Sequence, residues 1–477
     1  MYKRIHILLI IFLAIFLALI LRVGYISIFK HVEYSQLSVN QRVKALVYDC
    51  NRGDILDRNL EPLLTKESSL GWYRYCDEKN DIVFQQSECE GSIPVKFNER
   101  KSDIAHHVIG LTNHHKLYNI YGYQGVSGLE YQYNDKLRAA PSRIIAITDV
   151  YGKLTSSEHF YDINNSTNDT SVVVTLDKNL QKVVEDTLTH TLEQGAIIIM
   201  DPNTGEILSM ASRPIYNFNQ VDDGSHINKA ITTHKQTSPA SLFKLVITIV
   251  ALEEGYQKED KFQCSGDNCL VNHGSLTLEE ALAHSCNEVF HKIVYDVGAD
   301  TILQRASDLG LGNPTNVGLL QESSGRLPDI ETVSGCQGSK LLALGQGQLE
   351  TTPIQIAKLT SVIANGGYQV QPNIIHYVGP RPTSPMSIDP FNQRLISNGV
   401  AKDIQKMMNS TILYGTARQL SYGGGVKTGT SDNGNRWISG FFPYNRPKYV
   451  ITIIVEEGDN PVGILEEILS KIDYDKR

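Results

Sequence analysis

Three short stretches carry residue types that can act together in acyl transfer. The first, TSPASLFKLVITIVALEEG (237–255), sets Ser241 three positions before Lys244, where the chain turns from polar to apolar. Residues i and i+3 of a helix share a face, so the Lys244 amine can address the Ser241 hydroxyl. A free serine is a weak nucleophile and needs a base within hydrogen-bond reach. A lysine in water is protonated. Burial beside Leu242, Phe243, Leu245 and Val246, or a neighbouring cation, lowers its pKa towards that of a base. Helix N-terminal amides near Ser241 can also stabilise an oxyanion. The structural alternative is that Ser241 caps the helix and Lys244 reaches to water. The second stretch, AHSCNEVF, supplies Ser285 and Asn287 around Cys286, with a helix cap and turn as its alternative reading. The third, VKTGTS, sets Lys427, Thr428, Gly429 and Thr430 on a predicted strand, with an edge-strand charge as the alternative.

A second cluster lies in FQCSGDNCLVNHGSLTLEEALAHSCNEVF. Cys264, Cys269 and His273 follow C-x4-C-x3-H, and Cys286 comes after twelve more residues. Three thiols and an imidazole make a closed tetrahedral zinc set. The first three lie in a short glycine-containing loop that can wrap an ion. The fourth sits between Ser285 and Asn287, so a metal would brace the wall that carries them. His284 is an alternative ligand. A Cys264–Cys269 disulfide and free buried thiols are the other readings. Serine chemistry needs no metal, so a zinc ion here would be structural. Cys76 and Cys89 form a second candidate disulfide, while Cys50 and Cys336 carry no signal. Seven cysteines in 477 residues are too few for a disulfide scaffold.

These residues need elements to hold them. SVVVTLDKNLQKVVEDTLTHTLEQG reads as a strand, a cap at Asp177 and an amphipathic helix. AIIIMDPNTGEILSMAS reads as a hairpin turning at Asp-Pro-Asn-Thr-Gly. The apolar helix after Ser241 stops near Gly255. TTPIQIAKLTSVIANGG is a helix entered by proline and left through Gly366 and Gly367. GGGVKTGTS, RWISGFFPY and KYVITIIVEEG read as three strands joined by short turns. Helices mixed with hairpins, without strict alternation, predict an α+β fold: an antiparallel sheet flanked by helices. There is no internal repeat.

The N-terminus differs from the rest. After Lys3 and Arg4 it runs apolar from Ile7 to Leu21, is interrupted by Arg22 and resumes to Phe29. With Arg22 snorkelling, the run approaches the ~20 residues a bilayer needs. No small-residue cleavage site follows, which favours an uncleaved single-pass anchor over a removed signal peptide. Lys3 and Arg4 keep the N-terminus inside, so the rest of the chain would be extracytoplasmic. The length fits about three domains. The expected division is an anchor at 1–30, a polar, loop-rich region at 31–163 with Trp72, Tyr73 and Tyr75 as packing residues, and a main domain at 172–477. NNSTNDTS (164–171) reads as the linker. A net charge of -8 without a long basic block excludes nucleic acid as a partner.

S-x-x-K at 241–244, S-x-N at 285–287 and K-T-G-T at 427–430, in that order, resemble the set of serine acyl-transferases that includes β-lactamases and penicillin-binding proteins. The whole chain after the anchor resembles a class B penicillin-binding protein, a peptidoglycan D,D-transpeptidase. RGDILDRN (Arg52, Gly53, Asp54, Asp57, Arg58) and GVSGLEYQYNDKL resemble that family's N-terminal pedestal. DPNTGEILSMAS, LGQGQLETTPIQIAKLTSVIANGG and WISGFFP resemble its transpeptidase domain. Ala240 departs from the glycine common before the serine, and KLRAAPS lacks the usual glycines.

The resemblance implies that 31–163 is a pedestal of the dimerisation type and that Ser241 attacks the penultimate D-alanine carbonyl of a stem peptide. Lys244 would take its proton, Ser285 would relay a proton to the leaving amine, and Asn287 would hold Lys244 and the substrate amide. Lys427, Thr428 and Thr430 would receive the substrate carboxylate, with Gly429 letting its backbone approach. The amides of Ser241 and Thr430 would form the oxyanion hole. It further implies β-lactams as ligands, stem peptides on lipid-linked or nascent glycan as substrate, no catalytic cofactor, and a membrane glycosyltransferase partner. Some Firmicute members resemble the Cys/His pattern and carry zinc there. A D,D-carboxypeptidase or β-lactamase would form the same acyl-enzyme. A β-lactam sensor or a recruiting scaffold is the non-enzymatic alternative.

Overall fold

The hydrophobic alternation of residues 195–200 divides two cores. In this computed structural model, strand Leu192–Met200 sends Ala196, Ile198 and Met200 to one side of a sheet and Ile197 and Ile199 to the other, all fully buried. The structure describes residues 2–472 except 50, 80, 86, 118–119, 140–141, 157–159, 164–167, 216–225, 235–236, 268, 270 and 391–392. The sheet has five strands in the order Ile207–Arg213, Leu192–Met200, Tyr449–Gly458, Arg436–Phe442, Gly425–Thr430, and all neighbours are antiparallel. Helices Lys178–Thr191 and Pro461–Lys471 cover one face through Val184, Leu188, Ile464, Leu465 and Ile468. Helices Lys244–Glu253 and Pro353–Ala364 lie in the core on the other face. Each buried isoleucine or leucine contributes about 2 kcal/mol by leaving water. Hydroxyls add a directional tie: Thr360 to Ser439 is 2.7 Å and Ser439 to Thr452 is 2.8 Å, joining a helix to two strands.

The starts of the helices follow from their caps. Asp177 accepts from the amides of Asn179 and Leu180, as the sequence predicts. Thr352 and Gln355 form a capping box around Pro353. Thr277 and Glu280 form another, which fixes helix Leu278–Ala283 just before Ser285. Gly255, at φ +99°, ends the Ser241 helix. That helix does not begin at Ser241, which lies within a 3-10 turn, Ala240–Phe243, that leads into the α-helix at Lys244.

The region read as loop-rich is instead largely β-structure. One sheet has the order Thr112–Leu117, Ile120–Gly125, Val43–Asp49, Ser142–Ile147, Phe160–Ile163. A second has Asp81–Gln85, Thr65–Cys76 and Ile93–Lys101. Tyr73 and Tyr75 are buried between them with Tyr48, and Trp72 is half-buried. The sequence hid these strands because many of their residues are polar and their alternation is weak. Cys76 and Cys89 are both free thiols here.

A three-stranded sheet joins this region to the rest. Thr170–Val174 lies at its centre, parallel to Asp54–Leu56 and antiparallel to Ile375–Pro380. The stretch expected as a linker thus ends in a strand from Thr170, while its residues 164–167 lie outside the described residues. Gly53 is required here: a Cβ on it would lie 2.0 Å from the Thr170 carbonyl oxygen. The flanking charges are paired. Arg52 and Arg100 both reach Glu130, at 2.9 and 3.0 Å, and all three are buried. Arg58 contacts Glu206 at 3.2 Å, and Glu206 meets His376 at 2.5 Å. Cys50 lies outside the described residues.

At the N-terminus, helix Tyr2–Phe29 is 28 residues long and continues past Arg22 without a break. At 1.5 Å per residue it spans about 42 Å, more than the ~30 Å of a bilayer core. Its apolar side chains are exposed along its whole length, as an anchor's would be.

Candidate active site

The three motifs meet at one point. Lys244, fully buried, donates to the Ser285 carbonyl at 2.8 Å, to Ser285 Oγ at 3.2 Å and to Asn287 Oδ1 at 2.7 Å. Lys427, also fully buried, donates to Ser285 Oγ at 3.0 Å and to the Thr428 carbonyl at 2.7 Å. Ser285 Oγ therefore sits between two amines. Among the described residues, none of the Lys244 hydrogen bonds runs to Ser241, although the i, i+3 spacing allows one. The resting amine is held by the opposite wall, one turn of backbone from the serine.

Backbone geometry explains how three distant segments converge. Ser285 has φ +58° and Ala240 has φ +51°, both in the left-handed region that disfavours side chains. Each marks a sharp turn beside a serine. Ala240 donates its amide to the Gly345 carbonyl at 3.0 Å, and a Cβ on Gly345 would lie 2.0 Å from the Ala240 oxygen. Gly429 packs so that a Cβ would sit 3.2 Å from the Ser241 amide nitrogen. The edge strand thus comes close to the serine backbone at Gly429, where a Cβ would require a neighbour to shift by a few tenths of an ångström.

Electrostatics favour a neutral amine. Burial brings the Lys244 pKa down to about 7, against a smaller opposing effect of the Cys286 and Cys269 thiols. Burial also pushes Lys427 well down, and the neighbouring Lys244 charge adds to this. Neither amine has a carboxylate partner among these contacts. Their partners are carbonyl, amide and hydroxyl oxygens, which accept a hydrogen bond without neutralising a charge. One of the two ammonium groups readily gives up a proton, and a lysine so placed is a base.

The comparisons with known proteins agree with this geometry. The family model "Penicillin binding protein transpeptidase domain" matches residues 195–472, more than half of the chain. The chain belongs to the penicillin-binding protein transpeptidase family. It is 26% identical to Stage V sporulation protein D of Bacillus subtilis, across 97% of this chain and 82% of that one. It is also 26% identical to the peptidoglycan D,D-transpeptidase FtsI of Escherichia coli, across 74% of this chain and 62% of that one. The chain therefore spans less than two thirds of the FtsI length. Among solved structures, the Helicobacter pylori penicillin-binding protein PBP2, in complex with MreC, aligns with a TM-score of 0.69 at 21% identity, over 90% and 98% of the two chains. Penicillin-binding protein 2X of Streptococcus thermophilus gives a TM-score of 0.73 at 16% identity, over 89% and 79%. At such identities the likeness establishes a shared fold, and this chain has the penicillin-binding transpeptidase fold.

In this penicillin-binding protein the Cys/His cluster adjoins the site. The ligand atoms of Cys264, Cys269, His273 and Cys286 lie within 4.8 Å of one another. Cys264 Sγ is 3.4 Å from His273 Nδ1, and Cys269 Sγ is 3.6 Å from Cys286 Sγ. Two sulfurs on a tetrahedral zinc with Zn–S bonds of ~2.3 Å stand about 3.8 Å apart, so the donor set fits that ion. All four cysteine and histidine positions are buried or half-buried, and the three thiols are free rather than bridged. The cluster touches the motif directly: the Asn287 amide donates to Cys269 Sγ at 3.2 Å. His284 lies outside the set, stacked on His273 and tilted against Tyr414, with ring centroids 5.8 Å apart in both pairs.

Two residues near the site carry no sequence motif. Glu288 accepts from the Ser265 amide, the Ser265 hydroxyl and the Gly266 amide, at 3.0, 2.9 and 3.2 Å, and so pins the Cys264 loop to the Asn287 helix. Thr416 lies 2.6 Å, hydroxyl to hydroxyl, from Thr428. A threonine in a turn and a glutamate on a helix surface give no signal in sequence. Their contacts exist only once the fold is closed.

Proposed function

We propose that this chain is a membrane-anchored serine D,D-transpeptidase that cross-links peptidoglycan stem peptides through an ester on Ser241, and that β-lactams acylate the same hydroxyl. The observation that carries this reading is the convergence of Lys244, Ser285, Asn287 and Lys427 on one buried point beside the Ser241 turn. Neutral Lys244 removes the Ser241 proton as Oγ attacks the carbonyl carbon of the penultimate D-alanine. The tetrahedral oxyanion is held by the amides of Ser241 and Thr430. The peptide C–N bond then breaks, and the proton passes from Lys244 through Ser285 to the departing D-alanine amine. The amine of a second stem peptide attacks the ester carbonyl and gives a proton to Lys244; the bond from the acyl carbon to Ser241 Oγ breaks, and Lys244 returns that proton to Ser241. Lys427, drawn positive by the substrate carboxylate, and the threonines of its strand hold that end of the donor, while Asn287 holds Lys244 and the donor amide.

Residues 1–30 form the anchor, 31–163 the pedestal and 172–477 the transpeptidase domain. The catalytic part lies outside the cytoplasm. No step of this chemistry calls for a cofactor. Cys264, Cys269, His273 and Cys286 hold one structural zinc, which keeps the wall of Ser285 and Asn287 rigid. Burial pushes the Cys286 thiol up to about 12, so the ion must displace its proton on binding. Glycan polymerisation falls to a membrane glycosyltransferase partner, as the family resemblance implies.

The test is acylation of the detergent-solubilised chain by a labelled penicillin, read by mass on the peptide that holds Ser241. Ser241→Ala is expected to lose the label and keep its fold. Undiminished labelling of that variant would exclude the assignment. Steady turnover of penicillin, without an accumulating acyl-enzyme, would replace transpeptidase by hydrolase.

A further inference from the structure

We propose that Thr416 is a positioning residue for the donor carboxylate, acting through Thr428; this rests on the transpeptidase reading above. The two walls of the cleft are the Ser285 turn and the Lys427 strand, and Thr416 is bonded to both. Its amide donates to the Ala283 carbonyl at 3.1 Å, two residues before Ser285. Its hydroxyl lies 2.6 Å from that of Thr428. The approach is enforced one residue earlier, where a Cβ on Gly415 would lie 2.3 Å from the Ala283 oxygen. The helix that leads into this turn, Asn398–Leu413, is fastened to the same wall by Ser410, whose hydroxyl donates to Glu279 at 2.6 Å.

The chemistry follows from counting protons. Each hydroxyl has one proton and two acceptor sites, so the bond between the pair uses one proton and leaves one. With Thr416 donating, the Thr428 proton is free to meet an anion in the cleft. A hydroxyl that already accepts a hydrogen bond donates more strongly. Thr416 therefore fixes which way Thr428 donates and how far the edge strand stands from Ser285. On its outer side Gly425–Thr430 has no neighbouring strand to do this, because it is the edge of its sheet. The sequence assigns Thr428 a direct role without the neighbour that orients it.

The experiment uses the full chain in detergent and measures the second-order acylation rate with benzylpenicillin and with its methyl ester, which lacks the carboxylate charge. Thr416→Val is expected to lower the rate with benzylpenicillin about tenfold, since a hydrogen bond serving a charged group is lost. The rate with the ester should stay within about twofold of its original value on the same reasoning. Thr416→Ser should restore the rate. Thr428→Val should show the same loss, and the double variant should lose no more than either single one. Should Thr416→Val lose its fold, Thr416→Ala removes the same hydroxyl without apolar bulk. An unchanged rate, an equal loss with the ester, or fully additive losses in the double variant would each overturn the proposal. Failure of the transpeptidase reading shows separately, as an unlabelled wild type or a labelled Ser241→Ala.

Discussion

Two of the buried charge clusters among the described residues are built in opposite ways. At the pedestal junction Arg52 and Arg100 share Glu130, with side chains 2%, 3% and 1% exposed, and every charge has a counter-charge within 3.0 Å. In the cleft Lys244 and Lys427 are equally buried, yet their contacts are to Ser285, Asn287 and the Thr428 carbonyl. The residue types match the tasks. Arginine does not deprotonate in proteins, so once buried it must be paired. Lysine can escape its burial by giving up a proton, and a lysine that has done so is a base. Paired buried charge here marks architecture, and unpaired buried charge marks chemistry.

The sharpest way to break this comparison is to exchange the residue types. Lys244→Arg retains a cation in the cleft and removes the base. Acylation is expected to fall by about 10²–10⁴, the range general-base catalysis supplies, as measured with labelled penicillin. A normal rate in that variant would make Lys244 a structural residue like those at the junction. Glu130→Gln tests the other cluster. It removes the carboxylate that the two buried guanidinium groups share, which costs about 3–5 kcal/mol. Thermal unfolding should move down by many degrees, while the acylation rate well below the new midpoint stays as it was. A loss of acylation in a fully folded Glu130→Gln protein would mean that the junction acts on the cleft.

The cleft should also report its own titration. With Lys244 at about 7, the acylation rate should rise with pH through that value as the base loses its proton. The stability sign is separate. A lysine neutral in the fold and charged when unfolded makes the unfolded state bind more protons. This contribution to stability therefore increases with pH from about 7 towards 10.5, the same sign as for a salt-bridged carboxylate but in a higher pH window. A rate profile flat from pH 6 to 8 would contradict the assigned base.

A third perturbation lies between the two kinds of cluster. The Cys/His set is proposed to hold a metal as architecture, yet it abuts the cleft through the Asn287 amide. Chelation should lower thermal stability and acylation together, and Cys269→Ser and His273→Ala should reproduce both effects. Glu288→Gln, which weakens the grip on the Ser265–Gly266 loop, should lower zinc affinity about tenfold. Elemental analysis finding well under one zinc per chain, with no response to chelator, would remove the site. Destabilisation by a reducing agent alone would point to a disulfide instead.

How much of this was legible beforehand follows the same division. Ser241, Lys244, Ser285, Asn287 and Lys427 stood out because chemistry constrains residue type, and type is visible in sequence. The central strands stood out because 196–200 and 450–455 are almost wholly apolar. The junction sheet was missed because parallel pairing of Asp54–Leu56 with Thr170–Val174 joins segments more than 100 positions apart, and no local period signals it. Trp72–Cys76 was read for its aromatic packing, but its strand pairing depends on partners whose alternation is weak. Thr416 and Glu288 were invisible for a related reason: their type is ordinary and only their placement is special. The contact expected from Asn287 to Lys244 is present at 2.7 Å, whereas the contact to Ser241 that helical spacing permits is not among the Lys244 hydrogen bonds of the described residues.

The smallest expected effect concerns Ala240, which stands where the family resemblance leads one to expect glycine. Its φ of +51° places an L-residue in left-handed backbone immediately before the nucleophile, and its side chain is fully buried. Ala240→Gly would relieve about 1–2 kcal/mol of backbone strain. Against this stand the lost burial of one methyl group, about 0.8 kcal/mol, and the greater freedom of glycine in the unfolded chain, about 0.4–1 kcal/mol. The opposing effects are equal within their spread, so the melting midpoint should move by no more than a few degrees in either direction. Acylation should also be unchanged, because the Ser241 amide and hydroxyl keep their places. If Ala240→Gly instead accelerates acylation severalfold without a change in midpoint, the alanine is holding the serine turn away from its reactive geometry. The strain would then belong with the unpaired lysines as part of the chemistry, and not with the fold.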